Sequence, residues 1–208
     1  MKYRLAKISD AAKIADIHYS IRSSYSVGIF SKLGKIFLRR YYKILLNDPN
    51  SVVVCAELNG IIYGFCSASL DVEAQMMNLR NHKWILALAS FWSVIRNPLL
   101  FRDLVDRYLQ GRDVNNIKFI SSIGARSEYW AWNPASLDSF SSVEMYNAKL
   151  NILKALGVKE LYGEVDLINK RILRFQLANG SEIIEKLILP DGRERALLRT
   201  PLVDWKTI

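Results

Sequence analysis

Cysteine and histidine are scarce in this chain, with two of each among 208 residues. No His, Cys and Asp set has metal-ligand spacing, so no metal is expected. Cys55 and Cys66 each lie in a β-branched, apolar run and read as buried free thiols. Counted back from a turn at Asn59-Gly60, they are diagonal neighbours across a hairpin and not an opposed pair. That argues against a disulfide and suits a reducing cytoplasm. Long apolar runs are missing too. The most apolar stretch, Trp84 to Ile95, spans twelve residues, whereas a membrane span needs about twenty; integral membrane insertion is not expected. Met1-Lys2-Tyr3-Arg4 leads into an amphipathic pattern and not into the apolar core of a secretory signal. No serine is flanked by the glycines of a nucleophile elbow, and a Ser-His-Asp hydrolase is not indicated.

What the chain does have is hydrophobic mass and positive charge. Half of it is hydrophobic, enough for one sizeable core and a single domain over residues 1–208. The net charge of +9 and a pI near 9.6 imply an anionic partner or a solvated basic surface. A CoA or nucleotide phosphate, nucleic acid and an anionic membrane surface all fit that requirement.

The elements alternate. Tyr3 to Ile8 reads as a strand, and Asp10 as the cap of a helix with Ala12, Ile14, Ala15, Ile17 and His18 on its apolar face. A second helix covers Gly34 to Leu46 and is expected to bury Ile36, Phe37, Tyr41, Ile44 and Leu45. Ser51 to Leu58 and Ile61 to Leu70 are strands joined by Asn59-Gly60, a strong hairpin signal because both residues tolerate positive φ. Gly64 marks a bulge or a close backbone approach. Residues 72–112 read as a helical insertion. Its stripe of Trp84, Leu88, Phe91, Trp92 and Ile95 suggests a homodimer contact, and a further helix is expected over Leu99 to Leu109. Ile117 to Ser122 and Ser127 to Trp132 are strand-like. Ser139 to Ser142 can cap a helix running to Leu156, with Tyr146, Leu150, Ile152, Leu153 and Leu156 inward and Gly157 as its stop. A strand over Lys159 to Val165, a helix over Lys170 to Asn179, and a hairpin around Pro190-Asp191-Gly192 complete the chain. The order predicts an α/β fold: a mixed central sheet flanked by helices, with a helical insertion between strands 3 and 4.

The segment from Glu164 to Asn169, followed by Phe175 and Gly180, resembles the closing segment of the GCN5-related N-acetyltransferase (GNAT) family. The capped opening at Lys7 to Ala11 and the hairpin at Asn59-Gly60 agree with it. The resemblance implies an acyl-CoA-dependent N-acyltransferase with acetyl-CoA as co-substrate and a small-molecule amine, such as an amino sugar, as acceptor. It implies that fourth-strand amides near Trp130, Ala131 and Trp132 pair with the pantetheine arm. The pyrophosphate would lie on Ser139, Phe140, Ser141 and Ser142, and Asn169 and Phe175 would line the CoA side. The chain departs from the family pattern in two places. Its loop Leu137 to Ser142 has no glycine and no basic residue, and Gln176 stands where the family often has a Tyr that protonates the leaving thiolate. These departures leave two alternatives open: a non-catalytic binding module, and a transferase whose donor is an acyl-carrier protein or an aminoacyl-tRNA.

Transfer to an amine requires a base or a water-orienting group. Glu128 on the fourth strand is the first candidate; an ion pair with Arg126 is the structural alternative. Glu164 and Asp166 on the fifth strand are further candidates, Asp166 also as a turn cap. Strand alternation puts Glu128, Trp130 and Trp132 on one face, where the tryptophans line an acceptor pocket or fill a core. His18, on an apolar stripe, reads as a satisfied core histidine. The basic helices, with Lys32, Lys35, Arg39, Arg40, Lys43, Arg96, Arg102, Arg107 and Arg112, could form one positive face that, with Trp84, Phe91 and Trp92, meets a membrane surface or a nucleic acid such as tRNA. Acids interspersed among them favour a solvated or subunit-contact face.

Overall fold

A computed structural model describes residues 1–21, 29–101, 124–133, 135–136, 138, 140–188 and 192–203. The strand expected at Ile117 to Ser122, the helix expected beyond Phe101, Ser139, and the first two residues of the Pro190-Asp191-Gly192 turn lie outside them.

Seven strands form one mixed sheet. In chain order the elements are β1 (Lys2–Leu5), α1 (Ala11–Ser20), α2 (Ile29–Lys32), α3 (Gly34–Leu46), β2 (Ser51–Leu58), β3 (Ile61–Ser69), α4 (Val72–Asn81), α5 (Lys83–Arg96), β4 (Arg126–Trp132), α6 (Phe140–Ala155), β5 (Glu160–Asp166), α7 (Lys170–Ala178), β6 (Glu182–Ile188) and β7 (Glu194–Pro201). The spatial order is β1-β2-β3-β4-β5-β7-β6. Every pairing is antiparallel except β4 with β5. The β2–β3 hairpin turns on Asn59 and Gly60 at φ 51° and 77°, the paired positive angles that let a two-residue turn follow the strand twist.

Alternation along β2 divides the interior between two cores. Val53 and Cys55 face α1 and α3, whose Ile14, Phe37, Leu38 and Tyr42 fill the first core. Val52, Val54 and Ala56 face α6, whose Met145, Tyr146, Leu150 and Leu153 fill the second. Cys55 pairs with Phe65 and Cys66 with Val54, so the two thiols belong to different cores. Burial pushes each of them up to about 12.

Three local expectations are corrected. Ile36 is 61% exposed and lies off the buried stripe of α3. Leu156 is exposed as well, just past the end of α6. Asp10 does not cap α1 through its side chain; its carboxylate accepts from the Lys7 amide at 2.8 Å and from the Arg4 guanidinium at 2.7 Å. Helices α4 and α5 do stand between β3 and β4, as expected of the insertion.

Candidate active site

β4 pairs with β3 on one edge. On the other it meets β5 at the register pair Arg126–Tyr162, where the Tyr162 amide donates to the Ala125 carbonyl at 3.1 Å. Beyond that pair, β5 is held by β7 along its whole length, from Glu160 to Asp166. The edges of β4 and β5 therefore part, and among the described residues no ladder joins Ser127–Trp132 to Gly163–Asp166. Backbone polar groups on a parted edge are available to an extended ligand.

β4 is also bulged. Cys66 pairs with Trp130 and Ala68 with Ser127, so Glu128 and Tyr129 together oppose the single residue Ser67. A bulge of this kind resets strand alternation. The Ser67 hydroxyl accepts from the Tyr129 amide at 3.2 Å and donates to Glu128 Oε2 at 3.2 Å. Glu128 thereby faces the first core, where its charge acts on buried Tyr41 and Tyr42. Trp130 and Trp132 face the second core. The expected common face for Glu128, Trp130 and Trp132 is thus corrected, because the extra residue sends the carboxylate through to the opposite side of the sheet. Burial raises the Glu128 carboxyl above its ordinary value, against the opposing pull of the Arg126 charge and of hydrogen bonds from Ser67 and Gln75.

Arg126 does not pair with Glu128. It donates to Glu164 at 3.0 Å, and Glu164 also accepts from Arg195 at 2.7 Å. Arg195 reaches Asp166 at 2.7 Å, and Asp166 accepts from Arg193 at 2.9 Å. The result is a ladder of alternating charge across β5 and β7, with the Glu164 and Asp166 side chains 5% and 2% exposed. Asp166 is committed to arginines, so the turn before α7 is capped by Asn169, whose side chain accepts from the Ile172 amide at 3.3 Å.

The second-core side of the parted strands is aromatic. Trp130 stacks on Tyr146 with ring centroids 4.4 Å apart, and Phe175 closes on both rings. The Trp130 indole donates to the Ser142 hydroxyl at 2.9 Å. Trp132 lies over Gly64: a Cβ built there would stand 2.2 Å from Trp132 Cε3. Ala131 is buried. Gln176 is turned inward, donating to the Tyr146 hydroxyl at 2.8 Å and accepting from Ser181 at 3.2 Å.

The start of α6 is already occupied by an anion of the chain's own. Asp138 accepts from the Ser141 amide at 3.0 Å and from the Ser141 hydroxyl. These bonds hold its carboxyl below the usual range. Phe140 projects outward, 71% exposed. The loop therefore presents a carboxylate where a phosphate would approach the helix.

One residue of the site was missed in the sequence. Lys149 of α6 is fully buried; its Nζ donates to Ser127 Oγ at 2.7 Å and sits 4.1 Å from the centroid of the Tyr146 ring. The available signal was its spacing, since a lysine three residues after Tyr146 and four before Leu153 falls on the apolar stripe. His18 is a core histidine, as expected. It is 4% exposed, its Nδ1 is 2.6 Å from the Tyr42 hydroxyl, and burial lowers it to about 4. Among the described residues no group of His, Cys, Asp or Glu is gathered to hold a metal.

Sheet order, the parallel β4–β5 join with its splay, and the helices on both faces define the GNAT fold. The chain is similar in structure to an N-acetyltransferase from Staphylococcus aureus Mu50, with a TM-score of 0.62, 11% identity, and coverage of 97% of this chain and 98% of that one. It is similar to an aminoglycoside 6'-acetyltransferase type Ii, with a TM-score of 0.59, 10% identity, and 98% of each chain covered. A third structure, a Salmonella typhimurium protein solved with its cofactor acetyl-CoA, aligns with a TM-score of 0.55 and 10% identity over 100% of this chain and 97% of that one. No protein-family model and no curated protein matches the sequence.

Proposed function

We propose that this chain is an N-acyltransferase that moves an acetyl or other short acyl group from acyl-CoA to a primary amine of a small molecule, an amino sugar being one candidate. The observation that carries the reading is Glu128: a carboxylate of raised pKa, set by a bulge beside the point where β4 and β5 part. Similar structures named as acetyltransferases, one of them holding acetyl-CoA, support it.

In this reading the acyl-bearing arm lies along the free edge of β4 between Trp130 and Trp132, with Phe175 and Asn169 on its far side. Glu128 takes a proton from the amine, directly or through water. The amine nitrogen bonds to the thioester carbonyl carbon, a β4 amide stabilises the oxyanion, and the carbon–sulfur bond then breaks to release thiolate. Glu164, bound by Arg126 and Arg195, holds Arg126 in an ion pair of its own and acts by position. Buried free thiols accord with a reducing cytoplasm.

The pyrophosphate fits less well than the arm, and this favours a second reading. Asp138 holds the Ser141 amide, and the Ser142 hydroxyl is taken by Trp130. A donor whose pantetheine is carried on a protein needs no phosphate loop. Titration calorimetry with acetyl-CoA and free CoA separates the cases. Micromolar binding of both, followed by thiol release with an amine panel, supports the acyl-CoA enzyme. No CoA binding at millimolar concentration, with turnover of acylated carrier protein, supports the second reading. Neither binding nor turnover leaves a GNAT-like binding module.

A further inference from the structure

Helix α5 turns its apolar face outward. Trp84, Leu88, Phe91 and Trp92 are 76%, 76%, 53% and 63% exposed. The inward face is built from smaller groups: Leu86 and Ala89 pack on the first core, and the Ser93 hydroxyl donates to the Leu33 carbonyl at 2.7 Å. Gly34 leaves room for that contact, since a Cβ there would stand 3.1 Å from Ser93 Oγ. The inward packing thus sets the rotation of α5, and the tryptophans are left in water. A contiguous aromatic and aliphatic surface of this kind marks an interaction site.

The charges on the helix discriminate between occupants. α5 contains no acidic residue; Lys83 opens it and Arg96 closes it. Lys83 Nζ sits 5.5 Å from the centroid of the Trp84 ring. A two-fold pairing of α5 with a second copy, antiparallel along this face, would set Lys83 of one chain against Arg96 of the other, with no carboxylate on either helix between them. An anionic lipid surface accepts both cations, and tryptophan prefers the headgroup boundary. With fourteen residues, α5 is too short to cross a bilayer, which needs about twenty. No helix among the described residues is long and apolar enough to do so.

We propose that α5 is a peripheral membrane-docking helix: its Trp84–Leu88–Trp92 face seats in the interface of an anionic bilayer, with Lys83 and Arg96 at headgroup level. Docking is independent of the acyl-transfer reading and stands or falls on different measurements.

The test is flotation of the full chain with vesicles of phosphatidylcholine alone and of equimolar phosphatidylcholine and phosphatidylserine. The chain is expected to float with the anionic vesicles, to release as salt rises, and to lose tryptophan emission when brominated lipid is included. Leu88→Glu combined with Trp92→Glu is expected to weaken partitioning by about tenfold or more. Lys83→Glu combined with Arg96→Glu is expected to abolish the preference for anionic lipid. All four side chains point outward, and circular dichroism verifies that the variants fold; the bromolipid result needs no variant. Three results overturn the proposal: no flotation with either vesicle, flotation unchanged by the Leu88 and Trp92 substitutions, or a dimer in light scattering that Leu88→Glu dissociates.

Discussion

Asp138 binds the Ser141 amide at 3.0 Å and the Ser141 hydroxyl, so the helix start that would receive a phosphate carries a carboxylate of the same chain. Capping helices this way is ordinary. Doing so at this position would, in the proposed pose, set affinity for the CoA phosphates against helix stability.

Replacing Asp138 therefore tests the loop directly. Asp138→Ala removes the negative charge and uncovers the Ser141 amide and hydroxyl. In the proposed pose, affinity for CoA should rise by about two- to fivefold, the scale of one exposed charge removed near a helix end. Calorimetry of both proteins reads it, and equal affinities would show that the phosphates lie elsewhere.

Glu128→Gln separates chemistry from stability. The carboxyl is raised in the folded protein, so its stabilising contribution is complete below the unfolded value and is lost as pH rises through the folded one. Glutamine should leave the protein as stable as the parent or more so at neutral pH. It should also lower kcat by about 10²–10⁴-fold and remove the ascending limb of the pH–rate profile. Thermal melts beside initial rates make the comparison.

His18 predicts an acid-sensitive fold. Its value falls from 6.5 to about 4 on burial, so its contribution is present above the unfolded value and is lost as pH falls through that window. At about 1.4 kcal/mol per pH unit, the loss approaches about 3 kcal/mol. Urea midpoints between pH 7 and pH 4 should show a steeper decline in the parent than in His18→Gln.

Gly64→Ala should destabilise the sheet. The new methyl would meet Trp132 Cε3 at 2.2 Å and the Ala131 carbonyl at 3.0 Å, and overpacking of this kind costs about 1–3 kcal/mol. Near-ultraviolet dichroism should change as Trp132 moves. An unchanged spectrum and an unchanged urea midpoint would contradict this account of the glycine.

Arg195→Leu removes the central rung of the charge ladder. Glu164 would keep only Arg126, and Asp166 only Arg193 among the partners described. Breaking a buried pair costs about 3–5 kcal/mol, and the remaining arginines place the loss near the lower end. Chemical denaturation measures it.

Sequence and structure agree where local chemistry is strong. Asn59-Gly60 announced its hairpin, the apolar periodicities announced α1, α3 and α6, and Gly157 and Gly180 marked the helix stops. They diverge at β4. Period-two alternation assigned Glu128 to the tryptophans' face, yet pairing with β3 inserts one residue opposite Ser67 and reverses it. Asp166 read equally well as a turn cap, and the arginines that claim it, Arg193 just before β7 and Arg195 within it, lie 27 and 29 residues away in the chain. Ile36 looked as apolar as Phe37, but the rotation of α3 follows from its contacts with α1 and α5.

By itself the sequence determined which segments would be helices and strands, their order, and hence the kind of sheet they could build, because turn geometry and apolar spacing act over a few residues. Tertiary structure alone decided which face Glu128 looks out on, that Asp166 is claimed by Arg193 and Arg195, and that the tryptophans of α5 face outward. Each of these depends on contacts between residues far apart in the chain, which local patterns do not encode.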